Sequence, residues 1–418
     1  MTQLTRLPGL LLFVTALAAQ TRYDLLLKGG HVIDPANNVN ALMDVAIAAG
    51  KIARVAAGIP AAEARQVVDA RGLFVTPGLV DIHVHAYAGT GMKGAYSGDN
   101  SLYPDGYTFR SGVTTAVDAG GAGWRNFADF KDRVIDRAKT RVLAMLNIVG
   151  RGMGGGAIEQ KPEDMDAAAT AKAARQYPEI VAIKTAHYAA PEWVAVDRAI
   201  EAGKLAGLPV MVDFGTPFPN RTFEQLISDH LRPGDISTHM YQGLQPLVDD
   251  KGKTLPYLLS ARKRGVKFDL GHGGGSFVWS EAVPAIRDGW VPDTISTDLH
   301  ASSANAGMKD MVTTMSKVLS LGVPLADVIR MSTWSAALSI RRTDLGTLRP
   351  GAGADIALLR VDKGKFGYQD ARGARLTASQ KLVCEMTLRD GKVVWDLNGL
   401  AGEEWDTYYA RPENRRTR

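Results

Sequence analysis

His83 and His85 stand in the run FVTPGLVDIHVHAY, and two histidines separated by one residue on a strand point to the same side. Two neutral imidazoles so placed can grip one metal ion together. The apolar residues before them, entered through Thr76-Pro77-Gly78, read as a strand with both rings at its end. A His-x-His on an apolar strand also fits ordinary half-buried histidines, so its weight depends on the other donors.

Those donors follow in order along the chain. Lys184 ends the apolar run IVAIK, His239 ends DISTH, and Asp298 ends ISTD, with helix-like stretches between these short strands. Polar residues at the ends of strands that alternate with helices describe a parallel (β/α)8 barrel of the TIM type with its chemistry on one face. Lys184 follows an apolar strand where an unmodified ammonium is costly to bury; the competing reading is a lysine that snorkels to solvent or pairs with a carboxylate. Asp298 beside a metal can accept a proton from the attacking water and pass it to a departing nitrogen or oxygen, or it can simply cap the following turn. His300 either contacts substrate or orients Asp298.

An amide or ester carbonyl is a poor electrophile and water a poor nucleophile at neutral pH, a problem that a Lewis-acid metal solves on both sides. The chain resembles the amidohydrolase superfamily, nearest its dihydroorotase and D-aminoacylase branch and the bacterial deacetylases. The resemblance rests on LLLKGGHVIDP, FVTPGLVDIHVH, LGTLRPGAGADIALL and TLRDGKVVWD and spans roughly Tyr23 to Leu397. It implies His-x-His from the first barrel strand, a carboxylated lysine from the fourth, histidines from the fifth and sixth, and an aspartate from the eighth. Transferred here, His83, His85, Lys184, His239 and Asp298 hold two divalent ions, Zn2+ or Mn2+. Lys184 becomes N6-carboxylysine, and catalytic Asp298 relays the proton for a metal-bound hydroxide.

The fifth-strand station departs from that pattern, because the run PVMVDFG places Asp213 where a histidine is expected. A carboxylate can ligate zinc or manganese while adding negative charge. Asp213 is therefore a ligand, or His187 reaches in from the loop after Lys184, or Asp213 is a hydrogen-bonding partner of a single ion. His272, in the run GHGGGS, is expected to donate a hydrogen bond into the pocket, with the glycines letting backbone approach a ligand. Arg151, in NIVGRGMGGG, suits a substrate carboxylate, and a surface loop explains that segment equally well.

The β-rich beginning and end of the chain imply one composite β-sandwich from residues 21–76 and 346–398, beside a barrel over 77–345. Gly29-Gly30, Ala49-Gly50 and Asp390-Gly391 are expected to make its turns. Residues 1–20 read as a signal peptide, since Arg6 precedes an apolar stretch too short to span a bilayer and ending in small residues. Export to the periplasm or beyond follows, with no stable membrane anchor after cleavage. A chain of 418 residues with 45% hydrophobic and 22% charged residues fits a globular enzyme. The net charge of +5 comes without a basic run interleaved with aromatics, which argues against nucleic acid, and residues 399–418 read as a solvated basic tail. The single cysteine, Cys384, allows no disulfide within the chain. The expected activity is hydrolysis of an amide or ester in a small molecule, by N-acyl or O-acyl deacylation. A cyclic amidohydrolase of the dihydroorotase or imidase kind is the enzymatic alternative, and a non-catalytic binding protein is the alternative from another class. Homo-oligomerisation is left open.

Overall fold

The first described segment is an apolar run, with Leu25, Leu26 and Leu27 all buried, that pairs as a strand on both sides. A computed structural model describes residues 21–415, so the expected signal segment, residues 1–20, lies outside the described residues. Five strands come first: β1 (Tyr23–Asp34), β2 (Val39–Ala48), β3 (Lys51–Ala56), β4 (Ala64–Asp69) and β5 (Phe74–Pro77). Ala49 and Gly50, with φ of 49° and 74°, make the tight β2–β3 turn, as the twist of a two-residue hairpin demands. The expected turn at Gly29-Gly30 is instead a bulge inside β1, where the register against β2 shifts between Leu27 and Gly30. A side chain at Gly30 would meet Val75 Cγ2 at 2.4 Å, so glycine there serves close packing, and β1 runs on through the bulge.

Seven parallel strands follow in sequential order: β6 (Leu79–Val84), β7 (Val113–Gly123), β8 (Arg141–Asn147), β9 (Ile180–Thr185), β10 (Val210–Val212), β11 (Ile236–Ser237) and β12 (Lys267–Phe268). Val80, Ile82, Val117, Met145, Ala182, Met211 and Ile236 fill one side of this sheet, together with Ala336 and Ile340 of the chain that returns beneath it. Helices, among them Val194–Ala206, Pro256–Arg264 and Met311–Ser320, cover the other side. Such double coverage explains why these strands are nearly continuous apolar runs. Residues 294–299 bridge both edges of the sheet, Thr294 to Asp269 and Leu299 to Val84. Asp298 is thereby brought alongside the two histidines at the end of β6.

The chain then re-enters the first sheet through β13 (Ile356–Gln369), β14 (Arg375–Arg389) and β15 (Lys392–Asp396). The two ends meet where β13 pairs antiparallel with β5. The expected composite unit is one eight-stranded mixed sheet in the order β15-β14-β13-β5-β1-β2-β3, with β4 beside β1. Leu27, Val45, Val75, Leu358 and Met386 form its apolar core. Beyond this sheet β13 and β14 reach over the helices, and Trp279 donates from its backbone to Asp370 Oδ2 and from its indole to the Tyr368 carbonyl. The segment expected to be a solvated tail is partly docked. Leu400 and Ala401 pack on the sheet core, followed by a short exposed helix, Trp405–Ala410. No helix among the described residues is long and apolar enough to cross a membrane.

Candidate metal centre

The parallel strands deliver their polar residues to one point. His83 and His85 close β6, Lys184 lies in β9, Asp213 follows β10, His239 follows β11, and Asp298 belongs to the segment that bridges β6. One donor atom each from His83, His239 and Asp298 falls within 4.8 Å of the others. His85 Nε2 lies 2.9 Å and His83 Nε2 3.6 Å from Asp298 Oδ1. Lys184 Nζ, fully buried, is 3.2 Å from His83 Nε2 and 3.5 Å from the Met211 sulfur. Asp213 Oδ2 stands 3.6 Å from His239 Nε2 and 3.5 Å from His187 Nε2. The histidines and the two aspartates floor a cavity of about 520 Å³ whose walls include Tyr96, Met153, Gln242 and Ser276, with Lys184 buried beneath it.

Hydrogen-bond direction fixes which ring nitrogen is free. The His239 Nδ1 partner, 2.6 Å away, is the Gly271 carbonyl, which can only accept; Nδ1 therefore carries the proton and Nε2 turns a lone pair into the site. Thr238 Oγ1 donates to Asp269 Oδ2, so at 3.0 Å it accepts from His83 Nδ1. His83 then also presents an Nε2 lone pair. Protein acceptors that hold the far nitrogen in this way are the usual support of metal-binding histidines. His300 is the opposite case: Ser303 N donates to its Nδ1, leaving the proton on Nε2, 3.8 Å from Asp298 Oδ2. Two buried polar atoms at the centre, His85 Nδ1 and Asp298 Oδ1, have no hydrogen-bond partner. Converging lone pairs and a carboxylate oxygen without a proton donor are what a divalent cation satisfies.

The surrounding charges agree. Burial works to raise the Asp213 carboxyl, but His239, His187 and Lys184 hold it well below the usual carboxylate range. Burial likewise opposes Asp298, and the proximity of His85 and His300 keeps it ionised. Burial disfavours charge on His239, yet Asp213 overrides it and raises that ring to about 9; seating a divalent ion there displaces the proton. Burial pushes the Lys184 amine below the ordinary ammonium range and His300 down to about 4.

His239 and Asp298 hold their donors in left-handed backbone, at φ of 59° and 50°, a conformation that needs support from its surroundings. The GHGGGS glycines supply it. A Cβ at Gly271 would meet Thr238 Oγ1 at 2.3 Å, and one at Gly273 would meet Asp298 Oδ2 at 2.3 Å. Their close approach is thus to the protein's own donors, while Gly274 and Gly275 face the cavity.

Two expected pocket residues lie elsewhere. His272 is fully buried, donates from Nδ1 to the Gly273 carbonyl at 2.8 Å and accepts from Lys317 Nζ at 2.5 Å, so neither nitrogen reaches the cavity. Arg151 lines a separate cavity with Arg125, Lys161 and Asp164, because its loop turns away after β8. His300 lines the site and also caps the helix Ala301–Ala304, so it faces substrate space while its Nε2, 3.8 Å from Asp298 Oδ2, makes no hydrogen bond to that carboxylate. Sequence reasoning passed over Tyr96, whose ring centroid is 4.4 Å from that of His85 and 5.0 Å from that of His300. It also passed over Glu159, which accepts from His187 Nδ1 at 2.8 Å, and Asp81, which accepts from Thr297 N and Oγ1 and ties β6 to the 294–299 segment. Only Asp81 carried a local sign, two residues before His83 on the same face.

A model of the amidohydrolase family matches residues 279–394. Over 340 residues the chain is 32% identical to a deacetylase of Agrobacterium fabrum, covering 78% of this chain and 79% of that one. Among solved structures, an adenine deaminase superposes with a TM-score of 0.80 at 27% identity, covering 90% of this chain and 100% of its own. A dihydroorotase does so with a TM-score of 0.78 at 27% identity, covering 89% and 99%. The strand-end donors and this similarity along most of its length together show that the chain belongs to the amidohydrolase superfamily, hydrolases of non-peptide carbon–nitrogen bonds, beside the bacterial deacetylases.

Proposed function

We propose that this protein is a metal-dependent deacylase that removes an acyl group from the nitrogen or oxygen of a small molecule. The observation that carries the reading is the convergence of the His83 and His239 lone pairs with the Asp298 carboxylate. Identity to the Agrobacterium deacetylase supports the open-chain acyl substrate. His83, His85, Lys184, His239 and Asp298 would hold divalent cations, zinc first and manganese second, and a bound cation would polarise the acyl carbonyl and acidify a water. Asp298, ionised and facing the cavity, takes the proton of the attacking water and returns it to the leaving nitrogen or oxygen. His300 turns its Nε2 proton toward Asp298 Oδ2 from 3.8 Å, beyond hydrogen-bond reach, so it acts on that carboxylate through its field rather than by holding it. Tyr96 closes the wall above His85 and His300, and its hydroxyl is suited to the developing oxyanion.

Lys184 suits conversion to a carbamate, because the uncharged amine that burial favours is the form that attacks carbon dioxide. With the 294–299 segment as eighth strand, residues 77–345 form a (β/α)8 barrel, and residues 21–76 and 346–398 form the composite β-domain. Residues 1–20 direct export to the periplasm or beyond.

The test is a panel of N-acetyl amino acids, acetyl esters and cyclic imides offered to zinc-loaded protein. Hydrolysis of the acyl compounds, abolished by chelation, is the expected result. The dihydroorotase likeness favours a second reading as a cyclic amidohydrolase, and activity confined to the imides would establish that one instead.

A further inference from the structure

The Met311–Ser320 helix carries a lysine where packing alone asks for an apolar residue. Residues 311–319 of that helix are all buried, and Lys317 is fully so. Its Nζ has three acceptors, none of them a carboxylate: His272 Nε2 at 2.5 Å, the Gly307 carbonyl at 2.8 Å and the Gln369 carbonyl at 2.5 Å. The Phe277 and Trp279 rings stand 5.2 and 5.9 Å away. A charge taken out of water without a counter-ion lowers stability, and a methionine of similar length would fill the same space without that loss. The lysine therefore serves the three segments that it joins.

Each of those segments leads to the cavity. His272 donates from Nδ1 to the Gly273 carbonyl at 2.8 Å and stacks on Phe277, with ring centroids 4.7 Å apart. The turn fixed in this way presents the Gly271 carbonyl to His239 Nδ1 at 2.6 Å and lays the Gly273 backbone against Asp298 Oδ2. Gly307 follows Ala306, which lines the cavity beside Ser302, and a Cβ at Gly307 would meet the Gln369 carbonyl oxygen at 2.6 Å. Gln369 ends β13, in the arm that the composite β-domain extends over the helices. That arm is itself tied to the same turn. Ala371 N donates to the Phe277 carbonyl at 2.8 Å, and the Asp370 carboxylate accepts from the backbone of Trp279, Arg372 and Ala374.

We propose that Lys317 is a positioning residue for the metal centre: it fastens the 271–276 turn and the 300–307 segment to the β13–β14 arm, and so keeps His239 and Asp298 in register. The inference rests on the metal-dependent reading above and gives the composite β-domain a part in it. His239 and Asp298 hold left-handed backbone that depends on outside support, so they are the residues that feel a loosened turn first.

Zinc affinity, measured by competition with a chromophoric chelator, and the kcat and KM of zinc-loaded protein on an N-acetyl amino acid or acetyl ester test it in the full chain. Lys317→Met keeps the length and removes the donors. It should loosen zinc about 10-fold, the lower end of what supporting partners contribute, and should lower kcat and kcat/KM together, because the fault lies at the reacting groups. His272→Phe keeps the stack on Phe277, loses both ring nitrogens and should show the same fault. His272→Gln, whose amide can donate to Gly273 and accept from Lys317, should restore most of the zinc affinity and rate. Joining Lys317→Met to His272→Phe should be no worse than the poorer single variant, since links of one chain do not add. A lowered melting temperature with wild-type zinc affinity and kcat in both single variants would make Lys317 a residue of stability alone and overturn the proposal, as would additive losses in the double variant. If Lys317→Met does not fold, His272→Phe against His272→Gln decides by the same readouts. A wild type that binds no zinc ends this inference together with the deacylase reading, whereas zinc binding without acyl hydrolysis ends only that reading and leaves the affinities to judge Lys317.

Discussion

His83 donates from Nδ1 to Thr238 Oγ1 across 3.0 Å, and Thr238 in turn donates to Asp269 Oδ2 at 2.8 Å. Asp269 is fully buried and also accepts from the hydroxyls of Thr294 and Ser296. Residues in or beside three successive segments, β11, β12 and 294–299, therefore converge to settle the tautomer of one histidine at the end of β6. The arrangement makes the lone pair on His83 Nε2 a property of the fold.

Thr238→Val keeps the shape and removes the acceptor. The His83 proton is then free to move to Nε2, which takes away the ligating lone pair. Zinc affinity should fall about 10- to 100-fold, with a stability loss of about 1–3 kcal/mol from the unpaired buried groups. Chelator competition and urea unfolding measure the two effects. Unchanged zinc affinity would show that His83 is not a ligand through Nε2.

His83→Ala and His85→Ala remove ligands outright, so each should lose turnover by well over the hundredfold expected of supporting residues and should release metal. Elemental analysis beside the activity assay checks both. Full occupancy with full activity in either variant contradicts the site.

Lys184→Ala empties a fully buried position beside His83 and Met211. If the lysine works as a carbamate, the variant is inactive and recovers part of its rate in formate or acetate, whose carboxylate fits the vacated space. Undiminished activity without any additive would exclude the carbamate.

How far the sequence reads ahead to this site depends on where each residue stands. His83, Lys184, Asp213, His239 and Asp298 stand at or just beyond the ends of apolar runs, and a strand's period and end are local properties visible in a dozen residues. Glu159 and Tyr96 sit in loops whose course is set by contacts far along the chain, so nothing near them announces a role. The Gly29-Gly30 pair looked like a turn because the rule is local, whereas the continuation of β1 depends on pairing with both β4 and β5. His272 was expected to face substrate for the same reason. Its inward position is decided by Lys317, which lies in the Met311–Ser320 helix and also donates to the Gly307 and Gln369 carbonyls.

That inward histidine leads to a pH dependence. Burial first, and the Lys317 ammonium second, push the His272 pKa down to about 3, whereas an unfolded histidine titrates near 6.5. Between these values the unfolded chain binds a proton that the folded chain refuses, so stability falls as pH drops from about 6.5 toward 3 and is fully present above 6.5. His300, at about 4, acts in the same direction, and replacing His272 should remove one share of the slope. His272→Gln retains an oxygen for Lys317 and does not titrate. Urea unfolding of metal-free protein between pH 4 and 6 should therefore give a stability curve less steep than the wild type by about one proton. Parallel curves would mean that His272 is charged in the fold and that its bond to Lys317 is arranged differently.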